Sequence, residues 1–119
     1  MIMRGTTIVY KYEMNMDTKE FSVIPYEAKV YDYKTHIAYT LKKHNTIFNR
    51  RLNLEVVKCK NKLIAWSLDG DKLNEFKLNC AKKIEHFIHY YTKHFEGLAE
   101  MEKSLNNLKK VKEVIENGS

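Results

Sequence analysis

The chain has one proline, four glycines and two cysteines in 119 residues, and each scarcity removes a class of answer. The glycines, Gly5, Gly70, Gly97 and Gly118, never cluster, so no phosphate-cradling loop is encoded. Cys59 and Cys80 lie far apart in apolar contexts. That pattern is no disulfide framework, and it predicts two buried, reduced thiols. No internal repeat or low-complexity segment is visible, and no apolar run approaches the roughly 18 residues of a membrane span. No charged and then apolar leader opens the chain, so a cytoplasmic protein that does not touch a membrane is expected. Reactive groupings are scarce too. There is no HExxH, Ser67 and Ser104 have no glycine elbow, and the acids are scattered among lysines. No pair of carboxyls sits in the apolar setting that would raise a pKa. The expectation is a non-enzymatic protein without cofactor or metal.

What is present is enough for one folded unit, residues 1–119, since 44% of the residues are hydrophobic. Residues 1–70 read as a β-meander. TIVYKYEMNM alternates, with Ile8, Tyr10, Tyr12, Met14 and Met16 on one side and Thr7, Lys11, Glu13 and Asn15 on the other. Only Val9 breaks the polar face, and the period of two predicts a half-buried strand. Residues 17–20 form a turn, and FSVIPYEAKVYDY returns antiparallel, with Pro25 calling for an edge or a bulge. A third strand follows at 35–41, with Ile37, Tyr39 and Leu41 on one face. KKHNTIFNRR has no strand period and suits a loop or short helix held by Ile47 and Phe48. LNLEVVKCKNKLIAWSLDG reads as a hairpin with its tip at Lys60, Asn61 and Lys62.

From Asp71, a fair N-cap, the period changes to steps of three and four. Leu73, Phe76, Cys80, Ile84, Phe87, Tyr91, Phe95, Leu98, Met101, Leu105, Leu108, Val111 and Ile115 form one apolar stripe over residues 71–116. An unbroken helix of that length would run about 69 Å, far beyond a typical strand. Either the chain turns near Gly97 or at Asn106-Asn107 into a helical hairpin, or the far half pairs with a second copy. Gly97 has no proline or serine beside it, which favours self-association, a homodimer through Leu98, Met101, Leu105 and Leu108. The fold class is α+β, a curled antiparallel meander of about five strands on a long C-terminal helix or helical hairpin.

Three of the five histidines fall in EHFIHYYTKH. His86 and His94 share a helix face with Tyr90 between them, but the helical rise sets them about 12 Å apart. A metal needs three or four converging ligands. The histidines therefore read as the wetted margin of the stripe.

The net charge of +6 is localised. Lys42, Lys43, Arg50, Arg51, Lys58, Lys60 and Lys62 face Glu55 alone in that window, and the remaining charges balance. Cations on projecting loops, with Phe48 beside them, suit a phosphate backbone or an acidic protein surface. Tyr10, Tyr12, Tyr26, Tyr31, Tyr33 and Tyr39 all fall on the first three strands and suggest a second docking face.

The lysine-, asparagine- and isoleucine-rich composition is what AT-rich coding produces. With VVKCKNKLIAWSLDGD followed by LNEFKLNCAKKIEHFIHYYTKHFEGLAEMEKSL, the order of parts resembles small accessory proteins of phages and mobile elements of Gram-positive bacteria. The resemblance implies a non-enzymatic partner-binding protein, of a style that includes inhibitors of host defence. Many such inhibitors are acidic mimics of nucleic acid, and this chain is basic, which argues against mimicry. Two functions are expected: binding a host or phage protein with an acidic surface, inhibiting a defence enzyme or nuclease by occlusion, or binding nucleic acid through residues 42–62.

Overall fold

The computed structural model describes residues 2–42, 46–94 and 99–117, and their side chains except those of residues 91–105. Six strands precede two helices: β1 (Ile2–Asn15), β2 (Phe21–Asp32), β3 (Ile37–Leu41), β4 (Thr46–Phe48), β5 (Val57–Cys59), β6 (Lys62–Ser67), α1 (Leu73–His94) and α2 (Ala99–Asn117). All strand pairs are antiparallel, in the order β4-β3-β2-β1-β6-β5. The stretch expected as a loop or short helix holds both β4 and a 3-10 turn, Asn49–Arg51.

The long β1–β2 ribbon organises the sheet by offset. β3 pairs with β2 only from Ala28 onward, and β6 pairs with β1 only over residues 10–15. Asn15 makes the ribbon's turn, its side-chain oxygen accepting the N–H groups of Asp17 and Thr18 at 2.9 and 3.1 Å. Lys19 adopts φ 63 there. Pro25 sits opposite Tyr10, on the stretch of β2 that β3 does not reach, so its missing N–H costs no ladder bond.

Two cores lie on opposite faces of the sheet. Tyr12, Met14 and Met16 pack with Leu63 and Ala65 against Phe76, Cys80 and Ile84 of α1 and Leu108, Val111 and Ile115 of α2. Val9, the residue that interrupts the polar parity of β1, is fully buried in the other core with Ala28, Tyr39, Leu41 and Ile47. The break in alternation is therefore a second buried face.

The expected apolar stripe folds back on itself. α1 and α2 form a helical hairpin, and Lys112 reaches Glu85 at 3.7 Å across it. Gly97 falls outside the described residues. Leu108, expected in a self-association surface, is only 7% exposed and belongs to this chain's own core. The side chains of Leu98, Met101 and Leu105 lie outside the described residues. The cap expected of Asp71 falls one residue on, where the Lys72 carbonyl accepts the Phe76 N–H at 2.9 Å.

Tyr12 ties the helices to the sheet. Its ring packs on Phe76 with centroids 5.4 Å apart, and its hydroxyl donates to the Asp69 carbonyl while accepting the Lys72 N–H at 3.0 Å. Burial raises its pKa above the ordinary 10.0, opposed by the Lys72 N–H and assisted by Asp69 and Asp71. Since the folded value is the higher one, the stability this imparts is whole below pH 10 and is lost as pH rises through the folded value. Tyr12→Phe should lower the free energy of unfolding by about 1–3 kcal/mol at neutral pH, because two main-chain groups lose a buried partner. The variant should also show a shallower loss of stability above pH 10, read by urea titration across that range.

Candidate partner-binding cleft

The two edge strands, β4 and β5, are brought to opposite sides of one opening by the curl of the sheet. Between them lies a cleft of about 560 Å³ lined by Leu41, Thr46, Ile47, Arg51, Glu55, Val57, Ile64 and Trp66. Trp66 forms part of its lining, packed on Tyr26 at 5.7 Å between ring centroids, with Lys11 Nζ 5.7 Å from its own ring centre. Lys11 in turn pairs with Glu13 at 2.9 Å, and Lys62 with the same carboxylate at 3.7 Å. Burial alone would raise the Glu13 pKa, but the two lysines outweigh it and hold it below the ordinary value.

The segment between the 3-10 turn and β5 crosses from one core to the other. Leu52 packs on the Val9 core and Leu54 and Val56 on the helical one. Leu54 does so at φ 61, a left-handed conformation that costs a leucine about 1–3 kcal/mol. Three anchors hold it there: burial of its side chain, its N–H on the Trp66 carbonyl at 3.1 Å, and its carbonyl on the Asn79 amide at 3.2 Å.

The basic window does not assemble into one patch. Lys42 lines a different depression with Lys29, Glu27 and Tyr31. Arg51 lines the edge cleft, and Arg50 is exposed beside it. Lys58 and Lys60 border a hollow of about 280 Å³ with Met16, Asp17, Phe87 and Leu108 on the helical side. Lys62 is paired with Glu13, Phe48 stacks edge-on with His36 at 5.1 Å, and Lys43 lies outside the described residues. Strand alternation explains the division, since Val57 and Lys58 are neighbours on opposite faces of β5. Lys42, Arg50, Arg51, Lys58 and Lys60 have no carboxylate within ion-pair distance among the described residues.

The tyrosines do not share a face either. Tyr12 and Tyr39 are buried in different cores, and Tyr33 stacks on His36 at 4.7 Å. His86 and His89 are exposed on α1, and no group of three metal-ligating side chains converges among the described residues. Cys80 is buried as expected. Cys59 is exposed, against expectation, because β5 is a three-residue edge strand and Cys59 is its last residue before the Lys60 turn at φ 56.

Sequence reasoning missed the cleft, although a signal existed. Residues 63–68 have no polar parity: Leu63, Ala65 and Ser67 are buried toward the helices, while Ile64 and Trp66 line the opening. A strand without a polar face is one covered on both sides. No protein-family model matches the chain, and no curated protein or solved structure is significantly similar to it.

Burial pushes the Cys80 thiol up to about 12, so it stays protonated and shielded at neutral pH. A thiol-reactive dye at pH 8 should label one cysteine, Cys59, in the native protein and two in denaturant. Cys59→Ser should abolish native labelling.

Proposed function

We propose that this chain is a non-enzymatic accessory protein whose edge cleft takes an extended, acidic segment of a partner protein. The observation that carries the reading is the cleft between β4 and β5, with strand edges on either side, Trp66 and Ile64 in its lining and Arg51 at hand, with no carboxylate within ion-pair distance among the described residues. A strand laid along such an edge gains main-chain hydrogen bonds, and alternate side chains enter the apolar lining. Arg51 then selects an acid at the neighbouring position, while Glu55 penalises two acids in a row. In the setting that the composition and order of parts suggest, a phage or mobile element, the partner would be a host defence enzyme or nuclease inhibited by occlusion. Among the described residues no helix is long and apolar enough to cross a membrane.

A second reading is favoured by one observation, the five cations with no carboxylate within ion-pair distance among the described residues. These would hold a phosphate backbone, with affinity falling steeply as salt rises. Their dispersal over several depressions is why the cleft takes precedence.

Trp66 is the only tryptophan, so its emission reports on the cleft directly. Titration with ten-residue peptides alternating apolar and acidic residues should shift that emission, and peptides with lysine in place of the acids should not. Arg51→Glu should weaken the acidic peptides by about tenfold or more, the equivalent of 1.4 kcal/mol. No shift with any peptide of the panel contradicts the reading. A gel shift of DNA or RNA that is salt-sensitive and lost when Lys42, Lys43, Arg50 and Arg51 become alanine would put the second reading in its place.

A further inference from the structure

A recess on the helical side adjoins the edge cleft. It holds about 340 Å³ and is lined by Glu55, Val56, Asn79, Lys82, Lys83 and His86. Glu55 lines the recess and the cleft alike, so the segment that leads into β5 is the wall between them. That wall is fixed. Leu54 is buried in the helical core, and its carbonyl accepts the Asn79 amide of α1 at 3.2 Å. Among the described residues, Glu55 is the one acid in either lining, set against Arg51 on the cleft side and Lys82 and Lys83 on the helix side. A helical lysine ordinarily finds a carboxylate three or four residues away. Here Glu85, three residues beyond Lys82, is taken up by Lys112 at 3.7 Å, and Lys83 lies over the Phe87 ring at 5.6 Å. Neither Lys82 nor Lys83 has a carboxylate within ion-pair distance among the described residues.

We propose that the partner segment held by the cleft carries an acidic cluster beyond its alternating part, and that this cluster passes over Glu55 to settle on Lys82 and Lys83. The inference rests on the cleft reading and deepens it, because it gives the partner segment two parts. Apolar and acidic residues alternate in the cleft, and two or three consecutive acids follow in the recess. Consecutive acids are disfavoured within the cleft, where Glu55 and an apolar lining face them, and favoured past Glu55, where two lysines await. A peptide can set an uncharged residue over Glu55. A nucleic-acid strand has no such freedom, since it carries a phosphate at every nucleotide.

Titration of Trp66 emission with three end-capped peptides tests it. One is the alternating ten-residue peptide, and the others add three glutamates to its N-terminus or to its C-terminus. A strand lies in the cleft in one direction, so only one extension reaches the recess. That peptide should bind about threefold to tenfold tighter than the parent at low salt, as two exposed ion pairs allow. The other should bind like the parent. The gain should vanish at 1 M salt, where charges are screened beyond about 3 Å. It should vanish equally when Lys82→Gln is combined with Lys83→Gln, with the parent's affinity and the melting temperature unchanged, and persist when both lysines become arginine. Glu55→Gln should tighten the extended peptide further. If the parent binds and neither extension adds affinity, this inference fails alone; no shift with any of the three peptides removes the cleft reading with it. Equal gains from both extensions, or a gain that survives the double glutamine variant, mean undirected attraction to a basic protein and overturn the proposal. A single-stranded oligonucleotide that displaces the extended peptide and loses affinity in that variant would give the recess to phosphate, and overturn it too.

Discussion

The structure depends on one constraint: β1 must bury both of its faces, but at different places along its length. Tyr12 and Met14 point one way into the helical core, and Val9 points the other way into the second core. A strand turns successive side chains to opposite faces, so a single layer of helices can serve only one of these sets. The second core is supplied by the sheet itself, which curls until Leu41 and Ile47 from one wing and Trp66 from the other close over Val9. The offset pairing of the β1–β2 ribbon makes that curl possible, with β3 and β4 on one end and β6 and β5 on the other.

The surface features of functional interest are consequences of this arrangement. Curling brings the two short edges toward each other and leaves the cleft that Arg51 and Trp66 line. Offsetting leaves one side of β1 over residues 2–9 and one side of β2 over residues 21–27 without a pairing strand among the described residues, and only the latter carries a proline. The crossing segment at Leu54 accepts a left-handed backbone because both cores need a side chain from it within three residues, Leu52 for one and Leu54 for the other. Stability on the order of 5–15 kcal/mol is typical of a domain this size, so one such strained residue is tolerable when three interactions hold it.

Much of the fold was legible in the residues themselves. The alternation of β1, the turn at residues 17–20, the placement of Ile37, Tyr39 and Leu41 on one face, and the switch to helical period after Asp71 all follow from local pattern. What was hidden was anything set by long-range geometry. Val9 looked like a flaw in a polar face because the strands that cover it come from 20 to 60 residues away in sequence. β4 is three residues long and has no period to detect. Cys59 shares the parity of Val57 rather than that of Leu54 and Val56, and a short edge strand leaves that side wet. The helical stripe was right at Phe76, Cys80, Ile84, Leu108, Val111 and Ile115, yet a stripe alone does not say whether its far half meets a second copy or doubles back. Doubling back satisfied Leu108, Val111 and Ile115 within the chain. The basic window was real as a sequence feature, but β5 separates its members onto two faces, and the cleft that gathers Arg51 with Trp66 joins residues no linear window contains.

The division of β1 between two cores is the claim on which the cleft rests. Methyl-selective NOE spectroscopy tests it most directly, since Val9 and Tyr12 are three residues apart and should share no neighbours. The account predicts cross-peaks from the Val9 methyls to Leu41 and Ile47, and from the Tyr12 ring to the Ile84 methyls and the Phe76 ring, with none between Val9 and either residue of α1. Cross-peaks from Val9 to Ile84 or Phe76 would mean a single core and would contradict the account.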